Sequence, residues 1–233
     1  MSSAQRHTHF LDSRRMTAVL GYSDFRFEDL KDRVCTVFLV LPPERLGTHS
    51  RWLRLLVAQA IGAIARSTAR PDKPVLLLLD EFAALGRLEP LAQAFGLMAG
   101  YGLQLWPILQ DLHQLRSVYG ERAGTFLSNA GLIQIFNVGD VETAGWVSRS
   151  IGSTTVAYQT AGSSVSRGSP FSFQTTTSNS TNNHLTRRDL LTPDEVMRLD
   201  GSLEILLRQG AAPVAARKVR YYADPEFQIP GQC

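Results

Sequence analysis

Short apolar runs alternate with amphipathic segments along most of the chain. Val34–Leu41 (VCTVFLVL) is unbroken, rich in β-branched residues and stopped by Pro42-Pro43. That pattern predicts a strand buried on both faces. Thr48–Arg66 follows, with Leu53, Leu56, Val57, Ala60, Ile61 and Ile64 at helical spacing. Val75–Asp80 (VLLLLD) predicts a second buried strand after Pro74. Leu88–Ala99 reads as a helix, with Pro90 near its start and Gly100 at its end. Leu103–Leu109 is a third strand, although Pro107 inside it should remove one ladder hydrogen bond. Asp111–Tyr119 is a helix with an Asp N-cap and Gly120 as its stop. Leu132–Val138 is a fourth strand, and Asp140–Ile151 a helix capped by Asp140 and closed by Gly152. Such alternation predicts an α/β fold, a mostly parallel sheet with helices on both faces.

The pattern breaks at Gln159–Asn183, where Ser, Thr, Asn and Gly dominate. Its few large apolar residues, Val165, Phe171 and Phe173, predict a flexible surface loop or linker. Thr192-Pro193-Asp194-Glu195 then has the signature of a helix start. Ser202–Leu207 and Val214–Tyr222 read as a closing hairpin around Gly210. Four stretches result: a lead-in over 1–30, a domain over 31–158, a Ser/Thr-rich loop over 159–186, and a helix and hairpin over 187–233 that close the same domain.

Composition narrows the class. The chain has 233 residues, 44% of them hydrophobic and 19% charged, which is globular. A formal net charge of +3 permits nucleic-acid binding without requiring it. Two cysteines, Cys35 and Cys233, exclude a disulfide framework, and Cys35 reads as a small core residue in a reducing cytosol. No apolar stretch approaches the ~20 residues that span a bilayer, so this stretch of chain is expected to be soluble.

The sharpest chemical feature is the end of the second strand, Leu76-Leu77-Leu78-Leu79-Asp80-Glu81. In a doubly wound sheet ligands sit outside the carboxyl ends of strands. Asp80 would reach that rim, where a carboxylate can hold the hydration shell of Mg²⁺. Glu81 can orient or deprotonate an attacking water. This is the Walker B arrangement with a catalytic glutamate; a solvated acidic turn is the alternative. Gln110 follows the third strand and could hydrogen-bond a γ-phosphate and that water, or merely flank the next helix. A phosphate-cradling G-x-x-x-x-G-K-[ST] loop is absent, because Lys31, Lys73 and Lys218 all stand in other contexts. The five histidines form no metal-ligand spacing, and no G-x-S-x-G nucleophile elbow occurs.

The segment LLLLDEFAALGRLEPLAQAFGLMAGYGLQLWPILQDLHQLRSVYG, followed by TFLSNAGLIQIFNVGDVETAGWVSRSIG, resembles the type IV secretion coupling proteins, the TraG/TraD-like conjugative DNA-transfer ATPases. VFLVLPPERL upstream and RRDLLTPDEVMRL downstream extend the likeness over roughly residues 20–222. The resemblance implies a RecA-like P-loop NTPase lacking its Walker A segment, the C-terminal part of the motor domain. It implies ATP and Mg²⁺ as cofactors, Asp80 and Glu81 as the Walker B acids, and Gln110 as the downstream glutamine. It further implies a homo-oligomeric ring at the cytoplasmic face of the inner membrane. That ring would link a relaxase–single-stranded DNA complex to the type IV secretion channel proteins. No arginine finger is assigned; Arg87, Arg122 and Arg149 are the candidates to act across subunits, with an ordinary surface arginine as the alternative reading of each. Without a Walker A lysine, the chain alone is expected to be inactive. A non-catalytic binding module and another RecA-like DNA translocase are the alternatives.

Overall fold

The computed structural model describes residues 3–167 and 175–227. Phe171 and Phe173 of the Ser/Thr-rich stretch, and Cys233, lie outside them. The chain divides into two compact units, Met1–Gly131 and Leu132–Cys233.

In the first unit three short helices, α1 (Ser3–Thr8), α2 (Arg14–Val19) and α3 (Asp29–Asp32), precede the long α4 (Leu46–Arg66). Strands β1 (Val75–Leu79) and β2 (Leu103–Pro107) flank α5 (Glu89–Leu97), and α6 (Leu112–Tyr119) and α7 (Ala123–Asn129) follow. β1 and β2 pair in parallel, from Val75 opposite Leu103 to Leu79 opposite Pro107. Val75, Leu79 and Leu103 turn inward against Val57, Ile61 and Ile64 of α4 and against Leu91, Leu115 and Phe126 of the later helices. An aromatic stack organises this core: Phe82 lies on Tyr119 with centroids 5.7 Å apart, and Phe126 meets Tyr119 at 4.5 Å. The Tyr119 hydroxyl accepts a hydrogen bond from the Leu88 backbone N–H, and burial pushes its phenol pKa up.

Several expectations change here. Val34–Leu41 forms no strand, and Val34, Cys35, Phe38 and Val40 are exposed. An apolar run becomes a strand only beside a ladder partner, and no described residue pairs with it. The apolar run of β1 predicts burial on both faces, but Leu76 and Leu78, with Trp106 of β2 and Ile108 just after it, stay about half exposed. Helices cover one face of this pair; no described residue covers the other. Pro107 costs the β1–β2 ladder nothing. Gly102 O accepts from Val75 N and Ile108 N donates to Leu79 O, so even-numbered residues of β2 face β1. The imide nitrogen of Pro107 therefore turns away from β1.

The second unit holds β3 (Leu132–Ile135), α8 (Val141–Ile151), β4 (Ser153–Arg167), β5 (Thr175–Asp189), α9 (Pro193–Met197), β6 (Leu203–Arg208) and β7 (Val214–Arg217). β3 pairs antiparallel with β6, which pairs antiparallel with β7. The fourth expected parallel strand is thus the edge of an antiparallel sheet, fixed by the β6–β7 hairpin and by a core of Ile135, Ala144, Val147, Val196 and Ile205. Gly210, with φ +73°, allows the turn in that hairpin.

The Ser/Thr-rich stretch is also not an irregular loop over its described residues. β4 and β5 form an antiparallel ribbon, from Ser153 opposite Asp189 to Arg167 opposite Thr175. Thr is β-branched and suits a pleated ladder even where nothing is buried. The helix caps fall where the side chains place them: Asp111 accepts from Gln114 N, and Asp140 from Thr143 N, each at 2.7 Å.

Candidate functional site

Parallel pairing in register brings the carboxyl ends of β1 and β2 to one edge. Asp80 leaves β1 there, and Gln110 lies two residues beyond Ile108, the last residue hydrogen-bonded to β1. Both are exposed, as is Glu81. The structure therefore brings the three sequence-predicted residues to a common edge of the sheet.

The local backbone explains how. Leu79 O accepts from Ile108 N at 2.9 Å, and Ile108 O accepts from Phe82 N at 3.2 Å. The strand thus leaves and rejoins its neighbour across Asp80 and Glu81. Glu81 adopts φ 48°, ψ 44°, the left-handed region that a residue with a Cβ enters only at a cost. This twist returns the chain to the core at Phe82, which is 1% exposed. Asp80 Oδ1 accepts the Glu81 backbone N–H at 3.0 Å, which fixes the Asp80 carboxylate on the turn.

Two positioning groups carry no motif. Arg54 of α4 donates from Nη1 to Leu85 O at 2.6 Å and from Nη2 to Arg87 O at 2.7 Å. Its planar fork holds the loop that follows Glu81. Gly86 in that loop has φ +63°, and a Cβ there would meet Arg54 Nη1 at 3.0 Å. The second is Gln114, whose Oε1 accepts the Gln110 backbone N–H at 3.2 Å. Helical spacing places Arg54 and Gln114 on helices but cannot say which loop they reach. Arg87 and Arg122 both pair with Glu89, and the Arg122 hydrogen bond is the main cause of its lowered pKa. That occupies both arginines at the surface.

The donor set suits one ion in one way. Among the described residues no cluster of three or more His, Cys, Asp or Glu could hold a metal. A lone exposed carboxylate fits Mg²⁺, which keeps its waters and takes further oxygens from phosphates. It does not fit a metal that needs a full protein cage.

Comparison with known proteins defines the class first. The chain shares its fold with solved structures of the bacterial conjugative coupling protein TrwB. One, an unbound form of TrwB lacking its N-terminal 70 residues, aligns with TM-score 0.65 at 18% identity over 83% of this chain and 43% of that one. Another, TrwB in complex with ADP and Mg²⁺, aligns with TM-score 0.64 at 18% identity over 84% and 43%. The family described as type IV secretory system conjugative DNA transfer matches residues 1–232, and the chain belongs to it. Protein VirD4 of Rhizobium rhizogenes is 35% identical over 210 residues, 89% of this chain and 30% of that protein. A probable conjugal transfer protein TraG of Sinorhizobium fredii is 30% identical over 233 residues, 99% of this chain and 35% of that protein. The chain thus spans about a third of the length of these relatives. No helix among its described residues is long and apolar enough to cross a membrane.

Proposed function

We propose that this chain supplies the Walker B edge of an ATP-driven motor that couples conjugative DNA transfer to a secretion channel. The observation that carries this reading is the in-register parallel pair β1–β2, which ends with Asp80 and Glu81 on one strand and Gln110 after the other. ATP with Mg²⁺ supplies the phosphoryl group and neutralises its charge when bound. Asp80 holds the hydration shell of the ion. Glu81 orients the attacking water and accepts its proton. Gln110 hydrogen-bonds both water and terminal phosphate oxygen, and so reads nucleotide state. Arg54 and Gln114 keep the two loops in place.

Among the described residues one face of β1–β2 is uncovered and β2 pairs only with β1, which supports an incomplete site, because parallel sheets are covered on both faces. Further polypeptide bearing a phosphate-binding loop completes it. In the complete protein the subunits form a ring at the cytoplasmic face of the inner membrane. That ring receives single-stranded DNA with its relaxase and passes both to the channel.

The test compares two proteins. The isolated chain hydrolyses no ATP above background, since nothing in its sequence anchors the β- and γ-phosphates. A longer polypeptide of this family carrying this segment turns over ATP. Glu81→Gln there lowers turnover about 100-fold or more with nucleotide binding kept. Asp80→Asn weakens Mg²⁺-dependent binding instead. Turnover undiminished by Glu81→Gln rejects the assignment.

A further inference from the structure

Arg217-Lys218-Val219-Arg220-Tyr221-Tyr222, at the end of β7 and just after it, places two aromatic rings directly after three cations. Because β3 and β7 each run antiparallel to β6, they run parallel to each other, and their carboxyl ends lie at one end of the sheet. Phe136 and Asn137 leave β3 at that end. Lys218 joins the two segments: its Nζ donates to Asn137 Oδ1 at 2.9 Å and stands 4.7 Å from the centroid of the Phe136 ring. Asn137 takes the left-handed conformation, φ 52°, that Asn tolerates.

The rings at this end are uncovered. Phe136 is 47% exposed, Tyr221 75% and Tyr222 69%. The tyrosine rings meet edge to face, 5.4 Å apart at 87°. Their backbone is nonetheless fixed, since Lys218 N donates to Ser202 O, and Ala223 N and Asp224 N both donate to Arg220 O, each at 2.8 Å. Three large rings are thus open to water at one end of a hydrogen-bonded support.

The charge around them is nearly balanced. Asp200 lies near Arg217 and Arg220, and Asp224 Oδ2 accepts the Arg220 backbone N–H at 2.6 Å, so two acids stand against the three cations. A surface of this kind does not hold a duplex by phosphate neutralisation. It suits a ligand with exposed π-faces and a modest negative charge.

We propose that Phe136, Tyr221 and Tyr222, with Lys218 and Arg220 beside them, form a stacking site for the unpaired bases of single-stranded DNA. The choice of DNA rests on the conjugative reading above; the choice of unpaired bases rests on the rings. Every base has a π-face, so binding is tolerant of sequence. With the three cations of this segment engaged, the logarithmic salt slope is about −2.

Fluorescence anisotropy with the whole chain tests this, using labelled oligothymidylate of about 20 nucleotides and a duplex of equal length. The intact chain binds the single strand about tenfold or more tightly than the duplex, with the shallow salt slope. Tyr221→Ala with Tyr222→Ala weakens single-strand binding about tenfold or more. Tyr221→Phe with Tyr222→Phe keeps it within about twofold, because the ring does the stacking. Both positions face solvent, so circular dichroism should be unchanged. No binding by the intact chain, undiminished binding by the alanine pair, or equal loss in the phenylalanine pair overturns the proposal. So does an alanine pair that abolishes self-association in sedimentation and leaves DNA binding intact, which marks a protein interface instead. None of these readouts involves ATP, so their failure leaves the role of Glu81 standing, and failure of the Glu81→Gln test leaves the stacking site standing.

Discussion

Phe82 donates its backbone N–H to the carbonyl oxygen of Ile108, 3.2 Å away, across the two acidic residues that precede it. The side chain of Phe82 lies meanwhile among the least exposed in the protein, stacked on Tyr119. One residue thus anchors the acidic turn twice, to the neighbouring strand through its backbone and to the core through its ring. Phe82→Ala should cost about 3–5 kcal/mol, by lost transfer energy and by the cavity beneath the turn. Phe82→Leu should cost clearly less. Urea unfolding of the three proteins measures both, and near-equal losses would mean that the aromatic stack itself, and not the volume it fills, carries the stability.

Arg54 holds the loop after Glu81 through two carbonyl oxygens, those of Leu85 and Arg87. Lysine cannot make both bonds from one ammonium in that geometry. Arg54→Ala should destabilise by about 1–3 kcal/mol, and Arg54→Lys should recover less than half of it. Amide hydrogen exchange over residues 82–88 should speed up in both variants. Exchange unchanged there, with stability lost elsewhere, would show that Arg54 acts by packing on α4.

Much of this arrangement was legible in the residues. A hydrophobic run ending in Asp80-Glu81, and a second ending just before Gln110, suffice to place both at the carboxyl ends of strands. Asp111 and Asp140 announce their helices because a carboxylate before an apolar period satisfies orphan N–H groups. Strand partners were not legible. The pattern of Leu132–Ile135 is the same for a parallel or an antiparallel neighbour, and its pairing with β6 depends on a hairpin about 70 residues away in sequence. Val34–Leu41 shows the converse: propensity and period describe a strand, but no described residue pairs with it. The ribbon β4–β5 escaped because burial, the usual sequence signal, is missing from a ladder whose described side chains are exposed. Arg54 and Gln114 escaped for a third reason, since a long side chain's target is set by tertiary packing and leaves no local mark.

The start of α9 provides a pH-dependent element. Thr192 and Glu195 form a capping box, in which Glu195 Oε2 accepts the Thr192 backbone N–H at 2.8 Å. That hydrogen bond is the main reason the Glu195 carboxyl lies below the usual carboxylate range, with Arg188 adding to it. Its folded pKa is depressed, so its contribution is present above the ordinary glutamate value near about 4.3. It is lost as pH falls below that value and through the folded one. Glu195→Gln should flatten the stability profile of the protein between about pH 5 and 3. Thr192→Ala should cost about 1 kcal/mol at neutral pH. Thermal melts across that range, compared between the parent and Glu195→Gln, measure the slope, and identical slopes would remove Glu195 from the account.

Glu81 sits at φ 48°, ψ 44° with an exposed side chain, so the fold gains little from having glutamate there. Glycine enters the left-handed region without the steric cost that a Cβ brings, and it removes no buried contact. Glu81→Gly should therefore stabilise the chain by up to about 1 kcal/mol, less whatever extra freedom glycine gives the unfolded state. Glu81→Ala keeps the Cβ and should gain nothing. Glu81→Gln keeps both the Cβ and the shape, and should leave stability within about 0.5 kcal/mol. Urea midpoints of the four proteins give the order directly. If glycine is the least stable of them, the left-handed turn is held by contacts of the Glu81 side chain and not in spite of it. If glycine is the most stable, the protein carries a strained glutamate where an unstrained residue was available, which fits the proposed role of Glu81 in orienting water and not a role in the fold.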